Sequence, residues 1–223
     1  MKLAYFKIIF LLAVALLGLS GCMTVKDMPL RSDVEQVELK NESVVIFSTR
    51  IMNDVSRFYQ PIIITAVIVP EGATKAAQLL SFRPKEPFSQ SEAGAKEYLL
   101  SANLAPGKYK LQAIRCLATV FPLIGSCELP MNVPIKIDQP GQVIYMGHIN
   151  AVIRERKENE RRAGPILPLI DQAVTGMSSG SFDVIIEDRF ASDVERYRKT
   201  YPAIRNASVQ KALFPAWVRP MQQ

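Results

Sequence analysis

Runs of β-branched and aromatic residues, separated by Pro-Gly pairs, constrain the fold of this chain more than any other feature. Ser43–Met52 is rich in β-branched and aromatic residues, and Pro61–Val69 is a continuous apolar run of strand length. Pro106-Gly107 leads into a run in which apolar and polar residues alternate, and Pro140-Gly141 follows another. Alternation with a period of two is typical of a strand with one wet face, and Pro-Gly supplies the backbone angles of a tight turn. The sequence therefore predicts antiparallel strands joined by tight turns.

A single helix is predicted near the end of the chain. Ser192 and Glu195 have the spacing of a capping box, apolar residues then recur at helical spacing, and Pro202 ends the run. Residues 82–95 are polar with two prolines and are predicted as a surface loop. We expect a mainly β fold, an antiparallel β-sandwich with one short C-terminal helix and a partly helical insertion. Three apolar residues are expected to anchor the irregular C-terminal segment: Phe214, Trp217 and Val218.

The first 22 residues have the order of an export signal. Lys2 and Lys7 give a basic start, and the apolar run Ile8–Leu19 is shorter than the roughly 20 residues that span a bilayer. The run ends in Leu19-Ser20-Gly21-Cys22, which resembles a bacterial lipobox. This resemblance implies cleavage before Cys22, a diacylglyceryl group on its sulfur and an acyl chain on its amino group. The alternatives are an ordinary secretory signal, which usually ends in an A-x-A-like site, and a lone membrane helix.

The lipoprotein resemblance divides the chain into a signal peptide (residues 1–21), a lipidated tether (22–33) and one β-sandwich domain (34–223) with an insertion at 159–181. Met23 stands where an inner-membrane retention signal would have Asp. The resemblance therefore implies an outer-membrane lipoprotein that is held by lipid on Cys22, with its domain facing the periplasm. The formal net charge of +6 becomes +4 once Lys2 and Lys7 are removed, which is typical of a solvated surface, and we predict no nucleic-acid partner.

Two segments carry a resemblance to a family. Leu104–Ile114 (LAPGKYKLQAI) and Pro140–Ile149 (PGQVIYMGHI) resemble uncharacterised bacterial lipoproteins with a prealbumin-like or carboxypeptidase-regulatory-like β-sandwich. In that family an L-x-P-G-x-Y-x-L hairpin precedes a G-x-V-x-Y-x-G strand. Phe182–Asp188 and Tyr201-Pro202 fit the strand and short helix that follow. The matching residues belong to turns and core, so the resemblance implies a fold and no activity.

Two cysteines remain in the mature chain, Cys116 and Cys127. An even pair in an oxidising compartment predicts a disulfide, which for a loop of this length would stabilise the chain by about 3 kcal/mol. The rival interpretation is a metal or redox pair. Against it, the two cysteines lack C-x-x-C spacing, and the chain has only one histidine, His148, that could complete a metal site.

His148 is the one candidate for catalysis. In a regular strand its side chain would point opposite that of Tyr145, and a paired or half-exposed strand histidine is the default expectation. Hydrolysis would require a nucleophile and an acid to lie beside His148 as the base. The sequence contains no G-x-S-x-G or H-E-x-x-H motif that would indicate such a site. The adjacent carboxylates Glu187 and Asp188 would diverge at a strand end. We therefore predict no enzymatic activity, no metal and no cofactor.

The segment Ala163–Ser181 is long and apolar for a connection between two strands. It follows a run of mixed charge, Arg154–Arg162, which we expect to be a solvated extension. The segment either packs as a lid or forms a docking surface for an envelope protein or the membrane. We predict an envelope protein partner; the alternatives are a small apolar or glycan ligand held beneath the segment and, with less support, an envelope hydrolase around His148. The candidate contact residues are Ile166, Leu167, Leu169, Ile170, Val174 and Met177.

Overall fold

The structure is a computed structural model that describes residues 25–74, 78–85, 87–91, 94–120, 123–166 and 174–220. This part of the chain is mainly β with one α-helix, which confirms the predicted mainly β class with a short C-terminal helix. The helix is α1 (Phe190–Thr200), and a 3₁₀ turn follows at Pro202–Ile204. The strands are β1 (Val25–Asp27), β2 (Ser43–Asn53), β3 (Ile62–Pro70), β4 (Leu80–Arg83), β5 (Ser89–Gln90), β6 (Lys96–Leu104), β7 (Gly107–Val120), β8 (Leu123–Ile137), β9 (Val143–Glu155), β10 (Gly180–Glu187) and β11 (Val209–Lys211).

The strands form two sheets. Sheet A has the order β1-β4-β3-β7-β8, and sheet B has the order β10-β9-β2-β6-β5 with β11 paired to β9. Both sheets are mixed and not wholly antiparallel as predicted, because β1–β4, β2–β9 and β11–β9 are parallel pairs. The β2–β9 pair is parallel because the chain leaves sheet B after β6, forms β7 and β8 in sheet A, and then returns beside β2 in the same direction.

Both Pro-Gly pairs join one sheet to the other. Pro106-Gly107 lies between β6 of sheet B and β7 of sheet A, so the hairpin expected there is wrong. Pro140-Gly141 returns the chain from β8 to β9, and Gly141 has a φ of 84°, a conformation that favours glycine. The long antiparallel pair is instead β7–β8, which runs from Gly107 opposite Ile137 to Val120 opposite Leu123.

Buried side chains from both sheets form one hydrophobic core. It includes Phe47 and Ile51 of β2 together with Ile114 and Leu129 of sheet A. A second cluster lies on the outer face of sheet B, where Tyr197 of α1 and other residues cover β2 and β9. Strand β2 is therefore buried on both faces, which explains why apolar residues occupy successive positions from Val44 to Phe47.

The predicted surface loop at residues 82–95 is wrong at its start. Leu80–Arg83 forms β4, which pairs with both β3 and β1. Phe82 is buried in the core between the sheets. Pairing on both sides gives this short segment an extended conformation that its composition did not indicate.

Helix α1 begins at Phe190, two residues before the predicted start. Asp188 Oδ1 accepts a hydrogen bond from the Phe190 N–H, and the Ser192 hydroxyl donates to the Arg189 carbonyl. The predicted capping box is therefore absent, since Ser192 already lies inside the first turn. The helix ends at Thr200, as expected from Pro202.

The two ends of the described chain lie on opposite sides of the sheets. The Met28 N–H donates to the Arg83 carbonyl of sheet A, and the Leu30 N–H donates to Ser101 Oγ of sheet B. The prediction that residues 22–33 form a tether is wrong from Val25 onward, because this segment pairs with β4 and buries Met28 in the core and Leu30 in the second cluster.

The C-terminal segment packs against the strands β8 and β10. Trp217 Nε1 donates to the Pro130 carbonyl of β8 at 2.7 Å, and Arg219 donates to the Phe182 carbonyl of β10 at 2.6 Å. Phe214 is buried, as expected for an anchor. The expectation for Val218 is wrong, because 81% of its surface is exposed.

Candidate functional site

The cysteine pair lies in the β7–β8 ladder. Cys116 and Cys127 are directly opposite one another, with Cα atoms 4.9 Å apart and sulfur atoms at disulfide-bonding distance. Both residues are buried. The geometry is therefore consistent with the predicted disulfide across this pair of strands.

The structure separates the candidate contact residues of the insertion. Ile166 is exposed, with 54% of its surface accessible. Val174 and Met177 are buried, and their side chains occupy the space in front of Gly125 on β8. The prediction that these two residues form a contact surface is wrong, because they fill the core as the lid interpretation requires. Leu167, Leu169 and Ile170 lie outside the described residues, and the described residues 174–179 form turns and bends.

The charged run before the insertion is solvated as predicted at Glu155 and at residues 157–159, but the fold holds Arg154 and Glu160. Arg154 forms ion pairs with Glu160 at 2.6 Å and with Asp183 at 2.9 Å. Arg219 of the C-terminal segment contacts the same two carboxylates. The Arg154 guanidinium lowers the pKa of Glu160 to about 2. These charges therefore connect β9, β10 and the C-terminal segment.

A buried polar cluster lies between α1 and sheet B. We define it as Ser48 of β2, Tyr145 and His148 of β9, and Asp193 of α1, all almost inaccessible to solvent. A β-bulge between β2 and β9 places Tyr145 opposite Ile46 and His148 opposite Ser48. The extra residue in β9 turns His148 to the same face as Tyr145, contrary to the orientation expected for a regular strand. Arg189 and Arg196 border the cluster.

The hydrogen bonds of the cluster have one consistent direction. Asp193 Oδ2 accepts from the Ser48 hydroxyl and, at 2.8 Å, from the Tyr145 hydroxyl. Ser48 Oγ lies 2.6 Å from His148 Nδ1, so His148 donates through Nδ1–H. His148 Nε2 then accepts from Arg189 at 3.1 Å. The carboxylate is also paired with Arg196 at 3.3 Å.

Burial dominates the electrostatics of this cluster. It lowers the pKa of His148 below its ordinary value, and the Arg189 cation lowers that pKa further. Burial also raises the pKa of Tyr145, with the hydrogen bond to Asp193 as a second cause. The cluster therefore holds a neutral histidine and a neutral tyrosine beside the Asp193 carboxylate.

The order of these groups differs from that of a catalytic triad. In a triad the histidine stands between the acid and the serine, and it removes the serine proton. Here Ser48 stands between Asp193 and His148, and its hydroxyl is directed at the carboxylate. Because all three are buried, the arrangement fixes α1 to sheet B. His148 is paired, in agreement with one of the two default expectations, and it is not half-exposed.

Sequence reasoning identified His148 but missed Ser48 and Asp193. Ser48 is one of three consecutive polar residues, Ser48 to Arg50, in the middle of the run SVVIFSTRIM, which is the only local signal. Asp193 lies in the first turn of α1, where an acidic side chain is common at an exposed position. Neither feature indicates that the two residues meet, because 145 residues separate them along the chain.

Two clefts open on the surface. One, about 620 Å³, lies beside β1, and we call it the anchor-side groove because β1 follows the predicted lipobox. It is lined by Met28, Leu30, Arg31, Arg83, Lys85 and Phe88, among others. The insertion cleft, about 630 Å³, lies where the insertion meets sheet A and is lined by Arg115, Ser126, Glu128, Arg161, Arg162 and Gly164, among others. The first combines apolar and basic side chains, and the second combines charged side chains such as Glu128 with apolar ones such as Ile64 and Pro165.

Within the described ranges, no three His, Cys, Asp or Glu residues are grouped so that they could hold a metal ion. No helix in that part of the chain is both long enough and apolar enough to cross a membrane.

Comparisons with protein-family models, curated proteins and solved structures each return no match for this chain. The resemblance to bacterial lipoproteins therefore stays a prediction that is based on the residues that carry it.

Proposed function

We propose that this protein is a non-enzymatic interaction module of the bacterial cell envelope, anchored to the outer membrane by lipid on Cys22 and facing the periplasm. One observation carries the proposal. The lipobox-like sequence Leu19-Ser20-Gly21-Cys22 ends three residues before Val25, the first residue of β1. An extended chain covers at most about 3.6 Å per residue, so the lipid and the folded domain would lie within about 11 Å of each other.

Anchoring gives such a module its mechanism. A lipid-held domain is confined to a thin layer at the membrane, which raises its effective concentration for other envelope proteins. Two or three acyl chains on one cysteine make that attachment stable. The position of Ser48 between Asp193 and His148 favours a binding role over a hydrolase.

We propose that a partner protein contacts the exposed start of the insertion. Ile166 is a large apolar residue at the surface, next to a lid whose residues Val174 and Met177 are fixed in the core. A short exposed segment on a fixed base suits recognition by another protein, because little chain entropy is lost on binding.

A small-ligand module is the second candidate, and the insertion cleft favours it. Glu128 forms ion pairs with Arg115 and Arg161 at 3.3 Å and 2.9 Å along the rim of this cleft. A rim of charged donors and acceptors fits a glycan better than an apolar ligand, because sugar hydroxyls need hydrogen-bond partners.

Metabolic labelling with palmitate and membrane fractionation test the anchor. The unaltered protein is expected to incorporate label and to fractionate with membranes, and Cys22→Ala should lose both. Cys127→Ala is the matched control, because it removes a cysteine without touching the lipobox. Labelling of Cys22→Ala would contradict the proposal.

Site-specific photo-crosslinking in cells tests the partner surface. A photoreactive residue at Ile166 is expected to give one protein adduct of defined mass. The same residue at Ile185, which is exposed on β10, is the control and should not give that adduct. If position 166 gives no adduct in membrane-attached protein, the small-ligand alternative replaces the interaction module.

A further inference from the structure

We propose that the anchor-side groove binds the headgroup of an anionic phospholipid in the membrane that holds Cys22. This inference rests on the proposed lipid anchor and adds a ligand and an orientation to it. The groove is formed where the β1 segment crosses from sheet A to sheet B, next to the point at which the chain would leave the bilayer.

Proximity to the anchor is the first argument. Only two residues lie between Cys22 and Val25, and Asp27 and Met28 already line the groove. With so short a connection, the domain cannot rotate freely away from the bilayer. The side of the molecule that carries β1 and β4 is therefore held against the headgroups.

Charge is the second argument. The groove is lined by three basic residues of the described chain, Arg31, Arg83 and Lys85. Asp27 is the one acidic residue in the described part of the lining. Arg31 is paired with Asp33 at 2.5 Å. Arg83 and Lys85 are exposed and form no salt bridge with another described residue, so both can meet a phosphate.

The apolar part of the groove gives the third argument. Met28, Leu30 and Leu99 are buried side chains that form its floor. Phe88 stands at the rim with 42% of its surface exposed, and the Arg196 guanidinium lies 4.6 Å from its ring centre. Aromatic side chains are favoured at the boundary between headgroups and acyl chains, so Phe88 suits a surface that touches a bilayer.

The three arguments select one occupant. A soluble anion would use the basic residues but not the apolar floor, and an apolar ligand would leave Arg83 and Lys85 unused. A phospholipid satisfies both, because its phosphate contacts the cations while the first carbons of its acyl chains cover the floor. The membrane is also the ligand source that the anchor keeps within reach.

The test uses the full-length lipidated protein with a photoreactive residue at Ser32, an exposed position in the lining. The protein is reconstituted into phosphatidylethanolamine vesicles with or without phosphatidylglycerol, and lipid adducts are identified by mass spectrometry. Phosphatidylglycerol is expected among the adducts at about five times its share of the vesicle, the preference that one basic side chain confers at an anionic surface. In Arg83→Ala/Lys85→Ala the phosphatidylglycerol fraction of the adducts should equal its fraction of the vesicle.

Lys108→Ala/Lys136→Ala is the matched control, because both lysines are exposed at the opposite edge of sheet A, on β7 and β8. It should keep the enrichment. The groove is not a lipid site if phosphatidylglycerol makes up the same fraction of the adducts of the unaltered protein as of the vesicle. It is also not a lipid site if the enrichment survives Arg83→Ala/Lys85→Ala.

Two further outcomes separate the sources of failure. If soluble glycerol phosphate binds the protein without vesicles as tightly as phosphatidylglycerol binds it within them, the ligand is a free phosphate ester and the membrane assignment is overturned. If mass spectrometry finds no acyl group on Cys22, both the anchor and the groove proposal are overturned. An acylated Cys22 without enrichment overturns the groove alone.

Discussion

Ser48 and His148 are register partners in the parallel β2–β9 pair, with Oγ and Nδ1 2.6 Å apart. Since the Ser48 hydroxyl donates to Asp193, it accepts from His148 Nδ1–H, and His148 Nε2 is left to accept from Arg189. The hydrogen bonds thus run from Arg189 through sheet B to the carboxylate of α1. Within this cluster each polar side chain is hydrogen-bonded to another member or to an arginine, so changing one member affects the others.

Asp193→Asn should lower the free energy of unfolding by about 3 kcal/mol. The carboxylate accepts from Ser48, Tyr145 and Arg196, and an amide of the same size cannot accept in all three directions. Its NH₂ group would face a donor in at least one of them. Urea unfolding followed by circular dichroism measures the change.

Glu195→Gln is the control for that change, because Glu195 is exposed on the same helix. It should alter the free energy of unfolding by less than about 0.5 kcal/mol. Equal effects of the two substitutions would mean that the buried polar cluster does not hold α1 to sheet B.

Acid should destabilise the protein partly through His148. Its pKa in the folded chain is lowered from 6.5, by burial first and then by Arg189, against the opposing charges of Asp193, Glu187 and Glu97. Above about pH 6.5 the histidine is neutral in both states and contributes no pH dependence. Below that pH the unfolded chain takes up a proton that the folded chain resists. Stability therefore falls until the pH reaches the folded pKa.

Unfolding free energies of the unaltered protein and of His148→Gln, measured from pH 8 to pH 4, test this prediction. The unaltered protein should lose stability more steeply below pH 6.5, by up to about 1.4 kcal/mol per pH unit. Carboxylates titrate in both proteins and cancel in the difference. Parallel curves would show that His148 is protonated as easily in the folded chain as in the unfolded one.

Local patterns predicted most strands of this fold but not how they are arranged. The runs at Ser43–Met52 and Pro61–Val69 correspond to β2 and β3 within one residue, because buried strands are rich in β-branched and aromatic residues. Pro106-Gly107 indicated a turn, yet the turn joins two sheets, since a turn signal carries no information about which strands pair. The same limit hid Ser48 and Asp193, which meet only through the packing of α1.

The β-bulge explains a further error. A period of two, applied to β9, put His148 on the face opposite Tyr145, and one extra residue reversed that assignment. Gly147 lies at the bulge with a φ of 117°, so an isolated glycine in a strand was the available signal. The short segment Leu80–Arg83 had no comparable signal, because its strand conformation comes from its two neighbours.

Replacing both strand cysteines should also cost stability. Cys116→Ala/Cys127→Ala removes a cross-link between residues separated by 11 positions, which lowers the free energy of unfolding by about 3 kcal/mol in the chain-entropy account. Urea unfolding with and without reductant measures it. Reductant should destabilise the unaltered protein and leave the double variant unchanged. If reductant has no effect on the unaltered protein while thiol titration finds two free cysteines after unfolding, the pair does not form a stabilising disulfide.

The contact between the insertion and β8 can be tested with a double-mutant cycle. A Cβ atom added at Gly125 would lie 2.3 Å from Val174 Cγ1 and 3.1 Å from Met177 Cγ. Gly125→Ala should therefore destabilise the protein by about 1–3 kcal/mol, because the stiff Val174 side chain must move. Val174→Ala makes room for the added methyl group, so the double variant should be more stable than the sum of the two changes by about 1 kcal/mol.

Val194→Ala provides the matched comparison, because Val194 is a buried valine of α1 on the outer side of sheet B. Combined with Gly125→Ala, its effect should add within about 0.5 kcal/mol, as expected for distant sites without shared partners. Additivity of Gly125→Ala with Val174→Ala as well would mean that the lid does not pack on β8. The whole insertion, and not only its start at Ile166, would then be available to a partner.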